Sequence, residues 1–215
     1  MVTDILPLGA KDHSRHGVGL DASDRDGGVR IRPWPVFGLY QPDAIAAYSV
    51  AGRTYLGTAN EGDARAWGTV EELARVGTLP LEPSVFPDSL CGGRCADDAR
   101  LGRLLVTTHR GRNAETGRYE ALYALGARSF SIWSPDGTLV WDSGDDFERR
   151  TAGLQNVPCN ASSDNALPDD RSDDRGPEPE GLAFVPAERS PDGRALLVVG
   201  FELSGSTVVF ALVPE

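Results

Sequence analysis

The sequence predicts an all-β fold built from propeller-type blades, with a β-sandwich as the alternative. Three observations carry this. Short apolar strands recur at close spacing. The same turn, Ser-Pro-Asp-Gly, appears at residues 134–137 and again at 190–193. Twenty-five glycines and fifteen prolines point to many tight turns and away from a helical bundle. A propeller ring of six or seven blades needs on the order of 280 residues. The chain has 215. It therefore reads as an incomplete propeller in a single partial domain, with blade edges left unpaired at one or both ends.

Residues 1–37 form a loop-rich opening segment. Within it, Asp21-Ala22-Ser23-Asp24-Arg25-Asp26-Gly27-Gly28 resembles the start of a calcium loop. It lacks the closing glutamate of such loops and reads as an Asx-rich turn. Ile31 to Val36 is extended, because prolines push the residues before them out of the helical region. Ile45–Val50 and Arg53–Ala59 flank the two-residue link Ala51-Gly52 and predict a β-hairpin. The polar set Asn60 to Arg65 follows at its end. Thr69 to Val76 predicts a short helix, with Thr69 as cap and Glu72 completing a capping box. Residues 77–100 are a Pro/Gly/Cys-rich insertion. Strands are predicted at 103–108 and 119–124. Ser129–Trp133 and Thr138–Asp142 make a second hairpin, and Trp133 and Trp141 are expected to fill the core between blades. A short helix is expected from Asp145 through Leu154, with acids at its positive end. Leu182–Pro186, Ala195–Phe201 and Ser206–Val213 close the chain as three strands.

The net charge of −11 argues against a nucleic-acid backbone or an anionic membrane as partner. Cations and basic ligands remain. No apolar run is long enough to span a bilayer. Met1 to Pro7 is acidic, broken by proline and unlike a signal peptide. The chain is then either cytosolic or a fragment whose export signal lies outside it. Cys91 and Cys95 suit a small disulfide loop or half of a metal site. No second pair and no nearby histidine completes a zinc site. Asn160-Ala161-Ser162 is a glycosylation sequon.

The stretch Asp169 to Gly181 is dense in carboxylates and runs directly into a buried strand. Charges delivered to such a place are paired or ligate a cation. Three carboxylate sets sit at strand ends: Asp43, Glu61 and Asp63; Asp142, Asp145 and Asp146; and Asp173, Glu178 and Glu180. Blade geometry would bring such ends together, and hard oxygen ligands from several blades suit calcium or magnesium. The competing expectation is that Arg65, Arg128, Arg171 or Arg175 pairs the same oxygens. The proline on each side of Glu178 should keep the backbone extended, so that Glu178 and Glu180 share one face. Nucleophilic catalysis has little support. The histidines are His13, His16 and His109, of which His13 and His16 are weighed as a metal pair, and no G-x-S-x-G elbow occurs. Metal-assisted phosphoester hydrolysis stays open, since carboxylate-bound metals polarise phosphoryl oxygens without histidine.

Five segments in order resemble one known family. They are Tyr40 to Ala46, Thr58 to Arg65, Gly126 to Trp133, Asp142 to Glu148, and Arg171 to Gly181. Their order and spacing are similar to the choice-of-anchor I family, from about Asp12 to Phe210. The resemblance implies a seven-bladed propeller on an extracellular or surface-attached protein, with the anchor outside the propeller. A surface ligand or protein is the partner it implies. Some members carry alkaline-phosphatase names, which motivates a metal-dependent phosphoric-ester hydrolase as the second functional expectation. The chain departs from the pattern in three ways. The insertion around Cys91 and Cys95 is not typical. Leu203 stands where an arginine is usual, removing an expected partner of Glu202. The preceding blades and the C-terminal blade are missing.

Overall fold

The computed structural model describes residues 1–2, 4–155, 157–162 and 167–213. Its strands are β1 (Ala10–Asp12), β2 (Phe37–Leu39), β3 (Ala44–Val50), β4 (Arg53–Asn60), β5 (Ala66–Trp67), β6 (Val70–Glu71) and β7 (Leu73–Arg75). They continue with β8 (Leu105–Thr107), β9 (Tyr123–Leu125), β10 (Ser129–Trp133), β11 (Leu139–Asp142), β12 (Pro179–Val185), β13 (Leu196–Phe201) and β14 (Thr207–Ala211). One α-helix, α1 (Asp146–Gly153), follows β11, close to its expected bounds.

The centre is a four-stranded antiparallel sheet in the order β11-β10-β4-β3. Its first hairpin turns at Ala51 (φ 51°) and Gly52 (φ 75°). Two consecutive left-handed residues give the turn whose twist matches the flanking strands. The register then runs unbroken from Val50↔Arg53 to Ala44↔Ala59. In the second hairpin Gly137 donates to the Ser134 carbonyl at 3.0 Å, and the Ser134 hydroxyl bonds the Asp136 carboxylate. Residues 61–128 are inserted between the two hairpins and hold the small pairs β5-β6 and β7-β8.

A three-stranded meander, β12-β13-β14, lies beside this sheet, with β12 against β3 and β4. The approach is close enough that a Cβ on Gly57 would sit 2.9 Å from Leu182 Cδ2. Alternate residues of β13, Leu197, Val199 and Phe201, point inward with Tyr48, Phe130 and Phe147. A second core lies under the insertion, around Leu20, Trp34, Val76, Leu101, Leu104 and Leu122. The 77–100 segment is thus more than an excursion: Phe86, Cys91 and Cys95 are part of that core. Cys91 and Cys95 are joined by a disulfide.

The structure corrects several expectations. Thr69 to Arg75 is turn and strand, and a 3-10 turn begins only at Val76. Glu72 does not cap a helix; its carboxylate is held by the Arg65 Nε and Nη2 atoms at 3.0 and 3.1 Å and by Thr107 Oγ1 at 3.2 Å. β7 pairs with β8, and a short isolated helix cannot compete with that pairing and the ion pair together. The sheet β1-β2-β9 contains one parallel pair, β2 with β9, where only antiparallel pairing was expected. The long insertion makes such a crossover possible. Trp133 is buried, but Trp141 is 42% exposed. It lines an apolar groove of about 990 Å³ with Tyr48, Tyr55, Phe130, Ile132 and Phe210. The four-stranded unit occurs once, and no closed ring is formed among the described residues.

Candidate functional site

The acidic stretch ends where two strand ends meet. β12 pairs with β13 through Pro179↔Phe201, which sets Glu178 beside Glu202 at the end of the sheet. The Glu202 amide donates to the Glu178 carbonyl at 3.1 Å. Glu61 reaches the same place from the end of β4. Carboxylate oxygens of Glu61, Glu178 and Glu202 all lie within 4.8 Å of one another. Two arginines of the acidic stretch border them. Arg171 Nη2 bonds Glu178 Oε1, and Arg175 Nη1 bonds Glu61 Oε1 at 3.2 Å.

Glu61 is held there by bare backbone. Gly62 (φ 82°) and Gly126 (φ 75°) cross with no side chain between them. A Cβ on Gly126 would lie 1.7 Å from the Glu61 carbonyl oxygen, and one on Gly62 2.0 Å from the Gly126 nitrogen. Gln41 ties the crossing: its carbonyl accepts from Gly62 and its Oε1 from Gly126, at 3.1 and 3.2 Å. The electrostatics are those of crowded, half-dried acids. Burial pushes the Glu178 carboxyl up to about 7 against the pull of Arg171, with the hydrogen bond to Glu202 adding to the rise. Burial also raises Glu61, reinforced by Asp43. Such a site favours whatever neutralises it, a proton or a cation.

The family model for the choice-of-anchor I domain matches residues 1–214. The chain belongs to the choice-of-anchor I family. It is similar to the mesenchyme-specific cell surface glycoprotein of Strongylocentrotus purpuratus, 30% identical over 244 aligned positions, covering 98% of this chain and 30% of that protein. It is also similar to gigasin-3a of Magallana gigas, 32% identical over 120 positions, covering 53% of this chain and 40% of that protein. The chain spans well under half the length of these relatives. No solved structure matches it.

In this choice-of-anchor I chain, only Glu61 and Glu178 of the nine candidate carboxylates belong to the converging trio. Glu180 does not join them, although its charge still acts on Glu61. The extended alternation fails because Glu178 is left-handed (φ 47°) and the register shifts between Pro179 and Gly181. Glu202 takes the third place. Asp43 acts on Glu61 only through space, and Asp63 pairs with Arg175 at 2.6 Å. Arg65 serves Glu72 and none of the candidate acids.

The second set disperses. Asp142 belongs to a buried network: Lys11 Nζ approaches it at 2.9 Å, and the hydroxyls of Ser129 and Ser131 donate to its other oxygen. Asn60, Thr58 and the Trp133 indole continue that network into the sheet. Asp145 and Asp146 pair with Arg149 and Arg150, one helical turn on. Asp173 is bound by Arg75 and Arg103, and burial together with Asp174 pushes it up to about 6.

Arg128 is turned inward rather than toward the strand-end acids. Its Nη1 bonds Glu148 Oε1 at 2.7 Å, and both side chains are almost wholly buried. His13 and His16 do not form a metal pair: His13 is buried with Nδ1 at 2.6 Å from the Val18 carbonyl, and His16 is exposed. Burial pushes His13 down to about 3, so it stays neutral. Asn160, the asparagine of the sequon, is 4% exposed in the folded chain. Glu202 was the member that spacing arguments missed. It is the β12–β13 register of the folded chain that places the residue after one strand beside the residue before its partner.

Proposed function

We propose that the chain is part of an extracellular or cell-surface β-propeller protein that binds a ligand or protein partner, and that Glu61, Glu178 and Glu202 hold a calcium ion. The observation that carries the cation reading is the convergence of three carboxylates from three separate strand ends. Calcium–oxygen bonds of about 2.3–2.6 Å place opposite ligands up to about 5 Å apart, which suits this spacing. Each of the two arginines takes only one oxygen of its partner, and a cation would take the place of the proton between Glu178 and Glu202. A bound ion would neutralise the trio and tie β4 to the β12–β13 sheet.

The surface location is supported by the name of the Strongylocentrotus purpuratus relative and by the Cys91–Cys95 disulfide, which suits an oxidising compartment. No helix of the described residues is long and apolar enough to cross a membrane. The four-stranded sheet is read as one blade of a seven-bladed ring. The apolar groove beside β11 and β14 is read as the face on which a neighbouring blade packs. The hydrolase reading uses the same carboxylates, and no observation favours it over binding.

Calorimetric titration tests the cation site. Calcium should bind the wild-type chain saturably, with a Kd on the order of 10⁻⁴–10⁻³ M as in extracellular modules. Glu178→Gln should weaken it at least tenfold. Equal heats for the two proteins would remove Glu178 from the site. A phosphomonoester assay on the calcium-loaded chain separates binding from hydrolysis.

A further inference from the structure

A second carboxylate encounter lies apart from the strand-end trio. Asp21 is completely buried and Asp169 is 8% exposed. Three of the surroundings of Asp21 are fixed. Its amide donates to Glu148 Oε2 at 2.8 Å, its carbonyl accepts from Arg128 Nη1 at 2.8 Å, and its Oδ2 accepts from the Arg30 amide at 2.8 Å. Its remaining oxygen, Oδ1, has no donor among the described residues, and neither does Asp169 Oδ1. The two carboxyls lie close enough that each bears on the other's proton. A hydrogen held between two buried oxygens that lack donors would satisfy both.

The local charge count demands the same. Asp21 faces Glu148 and Asp169, while Asp169 faces Asp24 and Asp26 as well. Arg128 is the cation in contact with Asp21, and Glu148 already engages it. The thiol of Cys159 is also near, and burial pushes it up to about 11, so it adds no charge near neutrality. Among the described residues no third carboxylate closes on the pair as one does at Glu61, Glu178 and Glu202, so a proton fits better than a cation. Asp169 is itself held in a left-handed conformation (φ 74°), with its amide on the Cys159 carbonyl at 2.8 Å.

We propose that Asp21 and Asp169 share one proton, and that this carboxyl–carboxylate bond clasps the acidic stretch to residues 20–30 and opens as the proton leaves. Opening places a second full negative charge beside Glu148 and loosens the segment that carries Arg171 and Arg175. The proposal stands independently of the calcium site.

The sign of the effect follows from linkage. Burial pushes Asp21 up to about 8, well above its ordinary value. The folded chain keeps a proton that the unfolded chain releases above about pH 4. Stability from this pair is therefore complete below that pH and is lost as pH rises toward about 8. One retained proton lowers the folding equilibrium constant by up to about tenfold per pH unit in that window.

The test is thermal unfolding of the full chain in chelator, at about pH 5 and about pH 8, for wild type and Asp169→Asn. The amide of the variant supplies a permanent donor to Asp21, and asparagine tolerates left-handed backbone. The variant should equal or exceed wild type in Tm at the higher pH and show a shallower fall between the two. Asp21→Asn should flatten the profile in the same way. Parallel profiles for wild type and Asp169→Asn, or failure of both variants to fold, would overturn the shared proton. So would a calcium-induced rise in Tm at high pH that Asp169→Asn abolishes, since that result assigns the pair to a cation.

Discussion

Replacing Arg128 by methionine is expected to destabilise the chain by about 3–5 kcal/mol, the cost of leaving one partner of a buried ion pair alone. The guanidinium makes four bonds. Nη1 serves Glu148 Oε1 and the Asp21 carbonyl, and Nη2 serves the Ser172 carbonyl at 2.7 Å and that of Asp174 at 3.3 Å. It therefore joins α1, the 20–30 segment and the acidic stretch through one buried group. Glu148, 2% exposed, would be left charged without its partner. Adding Glu148→Gln to Arg128→Met should restore part of the loss, because the stranded charge is gone. Recovery should stay incomplete, because the carbonyls of Asp21 and Ser172 still lack their donor. Denaturant midpoints of the two single variants and the double variant check this. If Arg128→Met costs less than about 1 kcal/mol, the value typical of an exposed pair, the buried junction is wrong.

Gly126→Ala is expected to be comparably severe, and for a different reason. A left-handed alanine costs about 1–2 kcal/mol in backbone strain. Overpacking adds about 1–3 kcal/mol, because the methyl would fall on the Glu61 carbonyl and neither backbone can move freely. Gly193→Ala is the control. It shares a similar φ of 73° but has open space around the site, so it should show the strain alone. Equal losses in the two variants would mean that the Gly62–Gly126 crossing is looser than described. The crossing also positions Glu61, so Gly126→Ala should weaken calcium binding wherever it still folds.

These two sites mark the limit of what the sequence made legible. Local features read well. The Ala51-Gly52 link, the Ser-Pro-Asp-Gly turns and the helix after Asp145 are each set by residues close in the chain, and each formed as expected. Features decided at a distance did not. Glu72 has the spacing of a capping box, but Arg65 and the β7–β8 pairing claim it. Glu180 has the spacing of a partner to Glu178, but the left-handed Glu178 breaks the alternation. Arg171 and Arg175 were expected to compete for the acids, and they do pair with Glu178 and Glu61. Arg128 was grouped with them, although its partner is Glu148 on α1, twenty residues on. Glu202 and the Asp21–Asp169 pair depend on tertiary register, which no local pattern encodes.

The most direct measurement of the central claim is the anomalous difference map from crystals grown with manganese as a stand-in for calcium. The account predicts a peak bounded by oxygens of Glu61, Glu178 and Glu202, with Arg171 and Arg175 still engaged at its edge. A map with no peak there, and with both arginines bridging the three carboxylates, would contradict it.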